Sequence, residues 1–177
     1  MSGAQPWRSA GRTAQGKSRT RNEDAFLDCP QSGCWAVADG MGGHHAGNVA
    51  SQRVVRSLAA LPGQGDFDQR IEAVGRCLRG LDSQLQPADG VAGIMGSTVV
   101  VLLLEHHRAA CVWAGDSRCY LWRGQRLYQL SKDHSLQQQL IDEQQMSVEQ
   151  AAAHPAAQAL TRAVGAAETL TLDVLEL

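Results

Sequence analysis

Apolar positions recur with two different periods along the chain. From Asp66 onward, Phe67, Ile71, Val74, Leu78, Leu81 and Leu85 fall at steps of three and four, the stripe of an amphipathic helix. Before it, 48–61 carries Val54, Val55, Leu58 and Leu61 on one side and stops at Pro62-Gly63, a second helix. Short apolar runs at 25–27, ended by Pro30, and at 35–38, leading into Asp39-Gly40, predict two strands. A Gly-rich loop from Gly40 to Gly47 follows them. Four further strands are predicted over 97–104, 108–114, 119–122 and 126–130, with Arg123-Gly124-Gln125 as a hairpin turn. A polar, Gln-rich helix is predicted over 135–145. Ser147, with Gln150 as its capping-box partner, opens another that ends at His154-Pro155. Leu170, Leu172, Val174, Leu175 and Leu177 read as a last strand. Consecutive strands after consecutive helices predict an α+β domain over 1–177, an antiparallel sheet covered by helices.

Composition narrows the function classes. Hydrophobic residues are 44% and charged residues 19% of the 177, a globular balance rather than a disordered one. A net charge of -2 supplies no bulk attraction to nucleic acid or membrane. The longest apolar run, Val99 to Leu104, is far short of a membrane span, and no apolar stretch of signal-peptide length follows the start. The expected location is cytoplasmic. Five cysteines without a CxxC pair suggest neither a disulfide framework nor a zinc ribbon; Cys111 and Cys119, in apolar runs, read as core.

One motif misleads. Gly11 to Ser18 fits the phosphate-loop pattern G-x-x-x-x-G-K-[ST]. That loop works only between a buried strand and a helix. Here little apolar sequence besides Trp7 precedes it, and Arg19 to Asp24 offers no apolar helix face. Nucleotide hydrolysis is therefore not the reading adopted.

Five short signals occur in order: Arg19-x-x-Asn22-Glu23-Asp24, Asp39-Gly40-Met41-Gly42-Gly43, Gly96-Ser97-Thr98, Gly115-Asp116-Ser117-Arg118 and Asp133-His134-Ser135. Taken singly each is commoner as a turn or a solvated face. Together they put carboxylates at the ends of apolar strands, with Asp39 expected to project beyond its strand and Gly40 to free a backbone carbonyl. Carboxylate, carbonyl and water are the hard-oxygen donors of Mg²⁺ or Mn²⁺, and no His/Cys cluster with zinc spacing competes.

The ordered set resembles the PPM (PP2C-type) metal-dependent protein serine/threonine phosphatases in their bacterial form. Asp39-Gly-Met-Gly-Gly-His44, Leu130-Ser-Lys-Asp133-His134-Ser135 and the stretch from His154-Pro155 through Leu160-Thr-Arg-Ala-Val-Gly165 carry the likeness, which runs from about Gly16 to the last residue. The resemblance implies an antiparallel β-sandwich flanked by helices, in α-β-β-α layers. It implies that Asp39 bridges two Mn²⁺ or Mg²⁺ ions and that the Gly40 carbonyl binds one of them. Glu23 and Asp24 would hold metal-bound waters or one metal directly, and Asp116 would serve a third ion. Arg19 would grip the substrate phosphate. His44 or a metal-bound water would protonate the leaving alkoxide. Ser97-Thr98 would be a structural strand start, His134 would order the loop before a flap at 135–157, and His106-His107 would be exposed at a turn. The implied partners are phosphorylated proteins and an opposing serine/threonine kinase, with no nucleic acid and no membrane.

The sequence departs from the family at its end. The family completes its metal site with aspartates in Ser-Asp-Gly and Asp-Asn motifs, and neither occurs here. The expectation is a C-terminally incomplete domain, about three-quarters of the usual length by domain-size priors, with weak or no activity. The alternative is a catalytically impaired relative that binds phosphoproteins.

Overall fold

The computed structural model describes residues 7–86, 94–166 and 169–177. Its elements in chain order are β1 (Asp24–Cys29), a 3₁₀ turn (Pro30–Ser32), β2 (Cys34–Met41), α1 (Ala46–Ala59), α2 (Phe67–Leu85), β3 (Gly96–Ser97), β4 (Val99–Glu105), β5 (Arg108–Ala114), β6 (Tyr120–Arg123), β7 (Arg126–Gln129), α3 (Leu136–Gln144), α4 (Val148–Ala152) and β8 (Asp173–Glu176). The main sheet runs β1-β2-β4-β5-β8 with β3 also on β2. Every pairing is antiparallel, from Asp24↔Asp39 in the first to Cys111↔Leu175 in the last. β6 and β7 form a separate two-stranded sheet, turned by Gly124 (φ 57°) and Gln125 (φ 64°). Two successive positive φ angles match the twist of the flanking strands. The mixed helix and antiparallel-sheet architecture is the expected fold class.

The main core lies between one face of the sheet and the helices α1 and α2. On β2 the residues facing the helices are Cys34, Ala36, Ala38 and Gly40, all small. Small side chains let α1 come close, and at the top of the strand two backbones nearly touch: a Cβ on Gly40 would sit 1.8 Å from the Gly47 carbonyl oxygen. α2 fills the rest of the face with Phe67, Val74, Leu78, Leu81 and Leu85. Burying each such side chain contributes about 1.5–3 kcal/mol. Asp66 caps α2 in a capping box with Gln69. A carboxyl group enters this core: Asp82 is buried and accepts the Gly165 N–H at 2.7 Å.

The other sheet face is only partly covered. Phe26 and Val37 are exposed there, and Trp122 and Leu127 are exposed on the hairpin. A small satellite cluster of Val100, Cys111 and Trp113 is packed by Cys119 and Leu175. Cys111 is buried as expected, whereas Cys119 is half-buried and lies just ahead of β6.

Several sequence boundaries move. β2 runs through Met41, so Asp39 lies within the strand and points from the open sheet face instead of projecting past the end. Gly47 belongs to α1, which starts at Ala46, two residues early. His44 (φ 52°) and His45 (φ 78°) turn the chain in the left-handed region before it. The predicted strand over 97–104 is interrupted at Thr98, and the last strand begins at Asp173. The capping box of Ser147 and Gln150 is present, and His106-His107 is an exposed turn. Among the described residues no strand precedes Gly11 and β1, not a helix, is the first element after Ser18, so the phosphate-loop motif lacks its setting.

Candidate metal centre

Pairing in register places the first two carboxylates side by side. Asp24 opens β1 directly opposite Asp39 on β2, and residues directly opposite share a face. The Asp24 N–H donates to the Asn22 side chain at 3.0 Å, and the Gly40 N–H donates to the Glu23 carbonyl at 3.0 Å, so Glu23 sits against the end of β2. A Cβ on Gly47 would meet the Glu23 carboxylate at 2.7 Å, which places that acid at the start of α1. Arg19 lies in an irregular loop held by two bonds: Gln15 donates to the Arg19 carbonyl at 2.7 Å, and Asn22 donates to Thr13 at 2.7 Å. Arg19, Arg21, Glu23, Gly42, His44 and His45 line one polar cleft.

Asp116 comes from the loop between β5 and β6, which is pinned from three sides. The Gly115 N–H donates to His134 Nδ1 at 3.1 Å, and the His134 N–H donates to the Gly115 carbonyl at 2.9 Å. Arg118 grips Asp133 with two bonds, at 2.8 and 2.7 Å. Thr98 and Ser117 hydroxyls meet at 2.6 Å. His134 therefore orders the loop that carries Asp116 as well as the start of α3. With Nδ1 accepting, its Nε2 proton points at Asp173 Oδ2, 2.9 Å away.

The electrostatics are those of crowded acids. Asp39 reaches solvent on one side, but its inner side is crowded. Burial pushes its carboxyl up to about 6, reinforced by the neighbouring Asp24 carboxylate and then by Asp116, with Arg19 pulling the other way. Asp116 is also raised, first by burial and then by Asp133. Asp39 with two further acids near it, beside a glycine carbonyl, is a donor set suited to a hard divalent cation. Among the described residues no three His, Cys, Asp or Glu side chains converge closely enough to enclose an ion by themselves. The donor chemistry fits an ion such as Mg²⁺, which takes one or two carboxylates and keeps several waters.

The fold brings Asp24 and Asp116 near Asp39, and Arg19, Glu23 and His44, expected from the sequence at the same site, line the polar cleft. Sequence reasoning passed over what holds Asp39. The Asp39 N–H donates to Thr98 Oγ1 at 3.0 Å and the Ser97 hydroxyl lies 3.2 Å from the Asp39 carbonyl, across 59 and 58 positions. The segment 135–157 forms α3 and α4. Its ends meet where the N–H groups of Leu136 and Gln137 donate to the carbonyls of Ala159 and Ala157.

Comparison with known proteins places this geometry. Residues 10–171 match the family described as Protein phosphatase 2C. The serine/threonine protein phosphatase PstP of Mycobacterium tuberculosis is 38% identical over 93% of this chain, which spans 33% of that protein. Protein phosphatase PhpP of Streptococcus pneumoniae is 32% identical over 91% of the chain and 69% of its own length. Among solved structures, PppA, described as a regulatory component of the type VI secretion system in Pseudomonas aeruginosa, superposes with a TM-score of 0.85 at 39% identity, covering 96% of this chain and 71% of that one. The PstP catalytic domain in complex with two manganese ions superposes with a TM-score of 0.73 at 34% identity, covering 93% and 70%. With such a match across most of its length, the chain belongs to the protein phosphatase 2C family.

Proposed function

We propose that this chain serves a metal-dependent phosphatase that hydrolyses phosphoserine and phosphothreonine in proteins. The observation that carries this reading is the Asp24–Asp39 cross-strand pair with Asp116 and Arg19 around it. Asp39, Asp24 and the Gly40 carbonyl would hold two Mn²⁺ or Mg²⁺ ions, Glu23 would orient their waters and Asp116 would serve a further ion. Such ions lower the pKa of water and neutralise phosphate charge. Arg19 would fasten the phosphate through its planar fork of N–H groups. His44, exposed in the same cleft, would hold the proton that the departing serine or threonine alkoxide takes up. Water adds to phosphorus, the P–O ester bond breaks, and the hydroxyl side chain and inorganic phosphate leave. The 135–157 segment would act as the flap. A protein kinase acting on serine or threonine must supply such a substrate, and the reading places both in the cytoplasm. Among the described residues no helix is long and apolar enough to cross a membrane.

The impaired reading also has an observation behind it, the absence of three converging donors among the described residues. It keeps phosphoprotein binding through Arg19 and assigns no turnover to the chain. One experiment separates the two: Mn²⁺ titration and phosphate release from a phosphothreonine peptide, with Asp39→Asn alongside. We expect the parent chain to take up Mn²⁺ with low turnover, and the variant to lose the uptake. Any Mn²⁺-dependent turnover removes the impaired reading, and unchanged Mn²⁺ uptake in Asp39→Asn removes the metal assignment.

A further inference from the structure

The pairing of β2 with β3 and β4 contains an anomaly at one residue. Register is unbroken on both sides, Val37↔Val100 below and Gly40↔Ser97 above, which leaves Asp39 opposite Thr98. An antiparallel pair at such a position exchanges two backbone bonds. One is normal: the Thr98 N–H donates to the Asp39 carbonyl at 2.9 Å. The other is not. The Asp39 N–H donates to the Thr98 side-chain Oγ1 at 3.0 Å, and the displaced Thr98 carbonyl lies 2.7 Å from the Ser97 hydroxyl. A side chain has replaced a backbone acceptor at the one place where the ladder carries Asp39.

That substitution gives Thr98 a second connection. Its hydroxyl, buried with the rest of the residue, meets Ser117 Oγ at 2.6 Å. Ser117 follows Asp116. Gly115, which precedes Asp116, presses on the same residue: with φ +115°, a Cβ there would meet the Thr98 side chain at 2.7 Å. A backbone carbonyl in place of Oγ1 could accept from Asp39 but could not also reach the β5–β6 loop. One hydroxyl therefore spans the two chain segments whose carboxylates must be set against each other.

We propose that Thr98 is a positioning residue that fixes the Asp116 loop relative to Asp39 and so sets the affinity of the carboxylate cluster for a divalent cation. The inference rests on the metal-site reading above. Neither Thr98 nor Ser117 supplies a donor to the ion; they hold the groups that do. Groups that orient metal ligands through hydrogen bonds typically change affinity by about 10–100-fold when removed.

The test is Mn²⁺ titration of the folded chain by calorimetry, with melting curves recorded without metal. Thr98→Val removes the hydroxyl at nearly constant volume, Thr98→Ser keeps it, and Ser117→Ala removes only the second connection. We expect Thr98→Val and Ser117→Ala to weaken Mn²⁺ binding by about tenfold or more, and Thr98→Ser to recover most of what Thr98→Val loses. A variant that melts lower without metal yet binds Mn²⁺ as the parent does has lost only structure. That result for Ser117→Ala, which leaves the Asp39 bond in place, overturns the proposal even if Thr98→Val does not fold. If the parent takes up no measurable Mn²⁺, or Asp39→Asn leaves uptake unchanged, the metal-site reading fails and takes this proposal with it. Loss of binding in Asp39→Asn with none in Thr98→Val or Ser117→Ala overturns the proposal alone.

Discussion

Gly40 and Gly47 show how much a single missing side chain decides near the carboxylates. Each backbone occupies the space a Cβ on the other would need, at 1.8 and 2.9 Å. Replacing a glycine inside a helix by alanine ordinarily stabilises by about 0.8–1 kcal/mol. At Gly47 the new methyl group would strike both the Gly40 carbonyl and the Glu23 carboxylate. Gly47→Ala should therefore destabilise by about 1–3 kcal/mol as an overpacking change, read by urea unfolding, and a gain in stability would show that the close approach is dispensable. Sequence reasoning understood why Gly40 is a glycine only in part. It looked for a carbonyl freed by a turn, whereas the strand continues and the glycine is required by the helix beneath. The reason sits seven residues along the chain and across a layer. Thr98 was hidden for the same cause: the signal that marks it is a partner 59 positions away.

The elements legible in the sequence are those whose pattern is local. α2 shows all its apolar faces at helical spacing, and both its start and that of α4 carry capping boxes written in four residues. Less legible are segments whose conformation depends on a distant partner, such as 161–166 and 169–173 leading into β8. These segments are fastened by two acids. Asp82 holds the Gly165 N–H from α2, and Asp82→Ala should cost about 1–3 kcal/mol by leaving a buried donor without its acceptor, checked by the shift of the urea midpoint. Asp173, at the start of β8, receives His134 and Arg162 at 2.9 Å each. Partial burial raises its carboxyl, but these two contacts outweigh it and hold the group below the ordinary aspartate value of 3.8. A depressed carboxyl contributes stability above its unfolded value and loses it as pH falls through the lower folded one. The chain should lose melting temperature from just above pH 4 downward, and Asp173→Asn should flatten that part of the profile while lowering stability at neutral pH. An unchanged acid limb in the variant would place the sensitivity elsewhere.

At the scale of the whole molecule, the two sheet faces are unequal. The helix-covered face holds Leu78, Leu103, Val54 and their neighbours with almost no solvent contact. The opposite face leaves Phe26 36% and Val37 47% exposed, the β8 edge leaves Val174 50% exposed on the helix side, and the hairpin adds Trp122 at 67% and Leu127 at 60%. The sheet also has two edges, β1 and β8. β8 is four residues long with one apolar exposed position, Val174, between Asp173 and Leu175. Exposed apolar surface next to an unpaired strand edge favours association of copies. The isolated chain should therefore sediment with increasing apparent mass as its concentration is raised. A lysine at an edge strand opposes such pairing, and position 174 is solvent-facing, so Val174→Lys should lower the apparent mass at high concentration without unfolding the protein. Trp122→Gln tests the other candidate patch. If it alone abolishes association while Val174→Lys changes nothing, the hairpin and not the β8 edge carries the contact. A monomer at every concentration would mean that the open face is less adhesive than its composition implies, with the acidic and basic residues along it, Asp24, Asp28 and Arg118 among them, keeping copies apart.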